Sequence, residues 1–111
     1  LSDLSDVKTA VSEAVTNCTV HAYRGNLGII TVECEIEDNS LHIKVSDTGK
    51  GIADVEQAIQ PFFTTQPDDE RSGMGFTIMQ TFMDEFRVNS VQGEGTVVYM
   101  VKSFKPEVEN V

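Results

Sequence analysis

The residues of this chain best suited to chemistry sit at Asp47-Thr48-Gly49-Lys50-Gly51-Ile52. In the stretch before them Leu41, Ile43 and Val45 share one face, and the same parity puts Asp47 on that apolar face. A carboxylate turned toward a core is costly unless donors meet it, and either the chain or a bound molecule must supply them. Gly49 and Gly51 suit a bound molecule, because residues without Cβ accept positive φ and let a flat ligand lie against the backbone. The same string also reads as an Asp-Gly turn closing a strand. Its neighbours decide between the two.

Glu13, Asn17 and His21 are spaced four apart, so a carboxylate, an amide and an imidazole line one side of a helix. They border the stripe Leu4, Val7, Val11, Ala14 and Cys18, whose steps of three and four predict an amphipathic helix capped by Ser2 or Asp3. Such a line is either a solvated face or the wall of a cleft. A third group closes the longest polar stretch, from Gln66 to Gly75. There Ser72-Gly73-Met74-Gly75 runs into Phe76, Met79, Phe82, Met83 and Phe86, an apolar helical face. Free backbone N–H groups and the positive end of a helix dipole make that junction a seat for an anion. Neither G-x-x-x-x-G-K-[ST] nor G-x-G-x-x-G is present, so neither of the common nucleotide motifs explains these glycines.

The elements that must position these groups follow from the pattern. Ile30, Val32, Cys34 and Ile36 alternate with Thr31, Glu33, Glu35 and Glu37, and turn residues Asp38-Asn39-Ser40 join this strand to the one ending at Asp47. Asp54 to Ile59 reads as a short helix stopped by Pro61, and Gly25-Asn26-Leu27-Gly28 ends the first helix. Arg87 to Val91 and Thr96 to Val101 form a second hairpin around Gln92-Gly93-Glu94-Gly95. A loop as long as Gln66 to Ser72 inside so small a domain reads as a lid or as disordered chain. Residues 105–111 read as a frayed acidic tail.

With 111 residues and 40% hydrophobic composition, one domain spanning 1–111 is expected. Eight Lys and Arg against 18 Asp and Glu give a formal charge of −10, which opposes binding to nucleic acid or to anionic membranes and favours a basic protein partner. Cys18 and Cys34 both fall on apolar faces and read as buried free thiols, in keeping with a cytoplasmic location. No C-x-x-C or H-x-x-x-H spacing supports a structural zinc, no apolar run approaches a membrane span, and no signal peptide is visible. The chain starts at Leu1 almost directly in a helix, so an upstream segment is expected to be missing.

Taken together, these strings resemble the GHKL superfamily of ATP-binding domains, which includes gyrase-type ATPases, sensor histidine kinases and anti-sigma-factor serine kinases. Glu13 to Asn17 matches the N box, Asp47 to Gly51 the first glycine box, Arg71 to Gly75 the second, and Gly95-Thr96 the last. Ser12-Glu13-Ala14-Val15-Thr16-Asn17, Pro61-Phe62-Phe63-Thr64-Thr65, Arg71-Ser72-Gly73-Met74-Gly75-Phe76-Thr77-Ile78-Met79 and Phe82-Met83-Asp84-Glu85 are similar to the anti-sigma-factor serine kinases of sporulating bacteria in particular.

The resemblance implies a Bergerat-type two-layer α/β sandwich, with a mixed, mostly antiparallel sheet and helices on one face. It also implies an N-terminal strand that is absent here. It implies ATP or ADP with Mg²⁺ as cofactors, with Asp47 accepting from the adenine 6-amino group and Thr96 assisting from the second hairpin. Gly49 and Gly51 would clear space for the base. Asn17 would hold the metal, Ser72, Gly73, Met74 and Gly75 would close over the phosphates, and Arg71 would neutralise charge at the γ-phosphoryl group. Glu13 would be the general base for an incoming serine hydroxyl. The implied partners are an anti-anti-sigma protein carrying that serine and an RNA polymerase sigma factor held inactive by a homodimer. Other readings are a stress-response kinase of the same chemistry, a histidine-kinase-type domain, and a sigma-sequestering module that binds nucleotide without turnover. The second of these would need an acceptor-histidine bundle, which 111 residues do not hold.

Overall fold

The computed structural model describes residues 2–23, 27–52, 54–59 and 75–104. Helix α1 (Ser2–Asn17) runs on into a π-helical turn (Cys18–Ala22). Strands β1 (Ile30–Glu37) and β2 (Ser40–Asp47), helices α2 (Val55–Ala58) and α3 (Gly75–Phe82), and strands β3 (Glu85–Val91) and β4 (Gly95–Ser103) follow. Helices lie on one side of a four-stranded sheet of order β1-β2-β4-β3, so this is the expected α/β sandwich. Every described strand pair is antiparallel, and the parallel component of a mixed sheet is not among the described residues.

Local chemistry accounts for each joint. Asp38 and Asn39 both take positive φ, the conformation of a two-residue type I′ turn that suits the twist of a hairpin. Asp54 caps α2 by accepting from Gln57 N at 3.1 Å. The two hairpins join through β2 and β4, whose inward residues Ile43, Val45, Val98 and Met100 meet Val7, Ala10 and Ala14 of α1 and Met79 of α3. Ile43, Val45, Met79 and Met100 are essentially without exposed surface, each contributing about 1.5–3 kcal/mol of transfer free energy. At the far end of β4, buried Lys102 donates to Phe82 O (2.8 Å) and Asp6 Oδ2 (3.2 Å), joining the sheet to the end of α3 and to α1. A cation at a helix C-terminus is favoured by the dipole.

Four expectations are corrected. Cys34 is exposed, not buried. It lies on the apolar side by parity, opposite Ile43, but the helices cover the middle strands β2 and β4 and stop short of edge strand β1. For the same reason Val32 and Ile36 are exposed. Leu4 is also exposed, and Ala10 takes an inward place in α1. Phe86 belongs to β3 and not to the helical face, because α3 stops at Phe82 and Asp84 N already donates to Val101 O across the sheet. Finally, the helix does not keep its α period as far as His21: Tyr23 N donates to Cys18 O, five residues back, and Cys18–Ala22 is a π turn. The lid expected at Gln66 to Ser72 and the tail at 105–111 lie outside the described residues.

Candidate nucleotide site

The inward side of the sheet changes from apolar to polar at one end. Asp47 on β2 and Thr96 on β4 are direct partners, only 8% and 7% exposed, and Ser90 on β3 is the direct partner of Thr96. Opposed residues of an antiparallel pair share a face, so Ser90, Thr96 and Asp47 form a polar row next to the valine row Val88, Val98, Val45.

Two donors from this chain hold Asp47. Oδ1 accepts from Gly49 N at 2.9 Å, which closes the turn, and Oδ2 accepts from the Cys18 thiol at 3.4 Å. Burial, together with the Asp47 charge and its hydrogen bond, pushes the Cys18 thiol up to about 12, so it remains a donor at neutral pH. A carboxylate offers about four acceptor sites, and a ligand N–H can use the rest.

The π turn places both Cys18 and Tyr23. From its C-terminal end Tyr23 Oη accepts from Thr48 N at 2.9 Å and donates to Ile29 O at 2.5 Å, fastening the residue after Asp47 to the approach of β1. Lys50 N donates to Ala22 O at 3.3 Å, and Gly93 N donates to Lys50 O at 2.6 Å. The Gly49–Gly51 loop is thus held between the π turn and the β3–β4 turn. Gly51 (φ +74°) lies against Val91 O, and Gly95 (φ +124°) against Asp47 O, so a Cβ at either would meet backbone. A Cβ at Gly49 would stand 2.7 Å from Ala22 Cβ. The close approach these glycines permit is to the protein's own chain.

The other predicted groups lie near the start of α3. A Cβ on Gly75 would stand 2.8 Å from Asn17 Oδ1, which puts the N-box amide against the first residue of α3. Glu13 is half-buried one helical turn before Asn17, and its Oε1 is withdrawn from solvent. Arg71, Ser72, Gly73 and Met74 lie outside the described residues. Among the described residues no group of three or more His, Cys, Asp or Glu side chains could cage a metal. The Asn17 amide oxygen beside Gly75 is a single hard donor, the kind of protein ligand Mg²⁺ takes when water and phosphate oxygens complete its shell.

Ser90, Cys18 and Tyr23 were not singled out as site residues from sequence. Ser90 carried a usable signal, since on β3 it continues the inward series Phe86, Val88 and so is a polar residue at core parity, as Asp47 is on β2. Cys18 carried only its inward place on the helical stripe, and Tyr23 carried none, because it follows the π turn.

Residues 1–102 match the family described as histidine kinase-like ATPase domain. The anti-sigma F factor of Caldanaerobacter subterraneus subsp. tengcongensis is 59% identical over 102 residues, covering 92% of this chain and 71% of that protein. That of Clostridium acetobutylicum is 50% identical over 104 residues, covering 94% and 73%. Among solved structures, the mycobacterial sensor histidine kinase MprB superposes with a TM-score of 0.70 at 24% identity, covering 92% of this chain and 72% of that one, a likeness of fold alone. The chain belongs to the histidine kinase-like ATPase domain family and, within it, to the anti-sigma F factors.

Proposed function

We propose that this protein is a Mg-ATP-dependent protein-serine kinase that phosphorylates an anti-anti-sigma factor and also binds and inhibits a sporulation sigma factor, acting as a homodimer in the cytoplasm. One observation carries the nucleotide part of this reading: Asp47 and Thr96 are buried partners at the end of the sheet whose loop leads on from Asp47, with the Asn17 amide against the start of α3. The anti-sigma F factor relatives support the protein partners. The absence of a helix long and apolar enough to cross a membrane among the described residues is compatible with the location.

In this reading Asp47 and Thr96 seat the adenine, and Asn17 holds Mg²⁺, which when bound offsets phosphate charge. Glu13, one helical turn or about 6 Å from Asn17, takes the proton from the incoming serine hydroxyl. As that oxygen bonds to the γ-phosphorus, the bond to the bridging oxygen breaks and ADP leaves. Ser72 to Gly75 enclose the phosphates, and Arg71 neutralises charge on the transferring group. These last assignments rest on the motif resemblance.

Incubation with Mg-ATP and a cognate anti-anti-sigma protein tests the chemistry. Acid-stable phosphoserine on the partner is expected, and acid-labile phosphate would favour a histidine-kinase-type activity. Glu13→Gln should abolish transfer and leave nucleotide affinity near wild type, whereas Asn17→Ala should weaken Mg-ATP binding itself. Equal transfer by wild type and Glu13→Gln would remove the base assignment, and tight sigma binding without any turnover would leave a sequestering module.

A further inference from the structure

The peptide bond that follows Asp47 is held from both sides. Its carbonyl lies against Gly95, where a Cβ would meet it, and its N–H, that of Thr48, donates to Tyr23 Oη at 2.9 Å. The next N–H along, Gly49 N, is the one that donates to Asp47 Oδ1 at 2.9 Å. Turning the Asp47–Thr48 peptide would swing Gly49 N away from the carboxylate, so the bond at Thr48 N governs the direction in which Asp47 points.

Tyr23 is itself fixed. Its ring lies on the Cα of Gly28, since a Cβ there would run into ring atoms Cδ1, Cε1 and Cζ. A hydroxyl has one proton and two lone pairs. The Tyr23 proton goes to Ile29 O at 2.5 Å, one lone pair takes the Thr48 N–H, and the Thr48 hydroxyl, 3.4 Å away, can donate to the other. A single proton arrangement satisfies every contact.

We infer that Tyr23 is a positioning residue for Asp47: its hydroxyl fixes the peptide after the carboxylate and so keeps the remaining acceptor sites of Asp47 turned toward the 6-amino group of an adenine. This rests on the nucleotide-site reading above. Phe in place of Tyr keeps the ring on Gly28, and water can take up the Thr48 N–H and Ile29 O, both on exposed residues, so folding survives. That water is not anchored to the π turn, so the peptide gains freedom and Asp47 loses its fixed direction. The Lys50 N bond to Ala22 O still holds the rest of the loop. The loss therefore falls on ligands that use Asp47, whereas a merely structural role would lower stability or weaken every nucleotide alike.

The test is calorimetric titration of Mg-ATP and of Mg-purine riboside triphosphate, in which hydrogen replaces the 6-amino group, into wild type and Tyr23→Phe. Wild type should prefer ATP, and Tyr23→Phe should lower the ATP-to-analogue affinity ratio roughly 3- to 10-fold, nearly all of it from ATP. Gly28→Ala, which keeps the hydroxyl but displaces the ring, should lower the ratio in the same direction, and it decides the matter should Tyr23→Phe not fold. An unchanged ratio in the folded variant, beside a wild type that prefers ATP, would overturn this inference alone, whatever the change in melting temperature. A wild type that bound neither nucleotide, or both equally, would overturn the nucleotide-site reading and this inference with it.

Discussion

Asp47 of β2 and Thr96 of β4 face each other as direct antiparallel partners, both buried, at the end of a sheet whose neighbouring inward row is made of valines. An inward carboxylate is tolerated because Gly49 N and the Cys18 thiol meet it from the chain's own side. The loop that follows is pinned by Tyr23, Ala22 and the β3–β4 turn, so the carboxylate is presented by rigid parts. Rigidity of that kind favours recognition, since little ordering remains to be done when a ligand arrives.

The glycines should separate by backbone surroundings. Gly51 and Gly95 combine positive φ with backbone where a Cβ would go, whereas Gly93 has positive φ with nothing near. Gly93→Ala is expected to cost about 1 kcal/mol, and Gly51→Ala or Gly95→Ala more than about 2 kcal/mol, because strain and a backbone clash add. Urea denaturation of the three variants measures this directly. Equal losses would mean that close backbone approach is not what these glycines provide.

The two cysteines should differ in reactivity. Cys34 is exposed on β1 and should react with a thiol reagent in the native protein, while Cys18 should react only on unfolding. Because the Cys18 thiol titrates near 12 in the fold against 9.0 ordinarily, the unfolded chain loses that proton first as pH rises. Its contribution is therefore complete below pH 9 and lost between pH 9 and about 12. Cys18→Ala should flatten that part of the stability-against-pH curve, and an unaltered slope would place the alkaline loss elsewhere.

How far the sequence reaches depends on whether a contact is set by period or by a detour. Alternation was enough to place both hairpins and to put Asp47 inward, because one sheet face is buried and a register slip would expose it. The same alternation misjudged Cys34 and Ile36, since the pattern tells which face a residue is on but not whether a helix reaches over it. The helical period carried Glu13 and Asn17 onto one line and Cys18 inward, yet after Asn17 the chain passes into a π turn, at whose end Tyr23 meets the loop. No spacing rule announces a π turn. Phe86 was misplaced because its hydrophobicity suits helix and strand equally, and strand pairing with Met100 decided it.

Lys102 should matter for stability far from the candidate site. Replacing it with Ala leaves Phe82 O and Asp6 without the Nζ donor, and the expected cost is about 2 kcal/mol, moderated because Asp6 and Asp3 keep some contact with water. Lys102→Met should recover part of it by filling the same volume. Thermal unfolding of both variants checks the order, and a methionine variant no better than alanine would show that burial of the stem contributes little.

The proposed function turns on Asp47 keeping acceptor sites for an adenine beyond the two donors the chain itself supplies, and Asp47→Asn tests it most directly. Calorimetric titration with Mg-ATP should show binding to wild type and a loss of roughly 10- to 100-fold in the variant, since the amide replaces a charged acceptor with a weaker, partly donating group. Equal affinity for Mg-ATP in the two folded proteins would contradict the account.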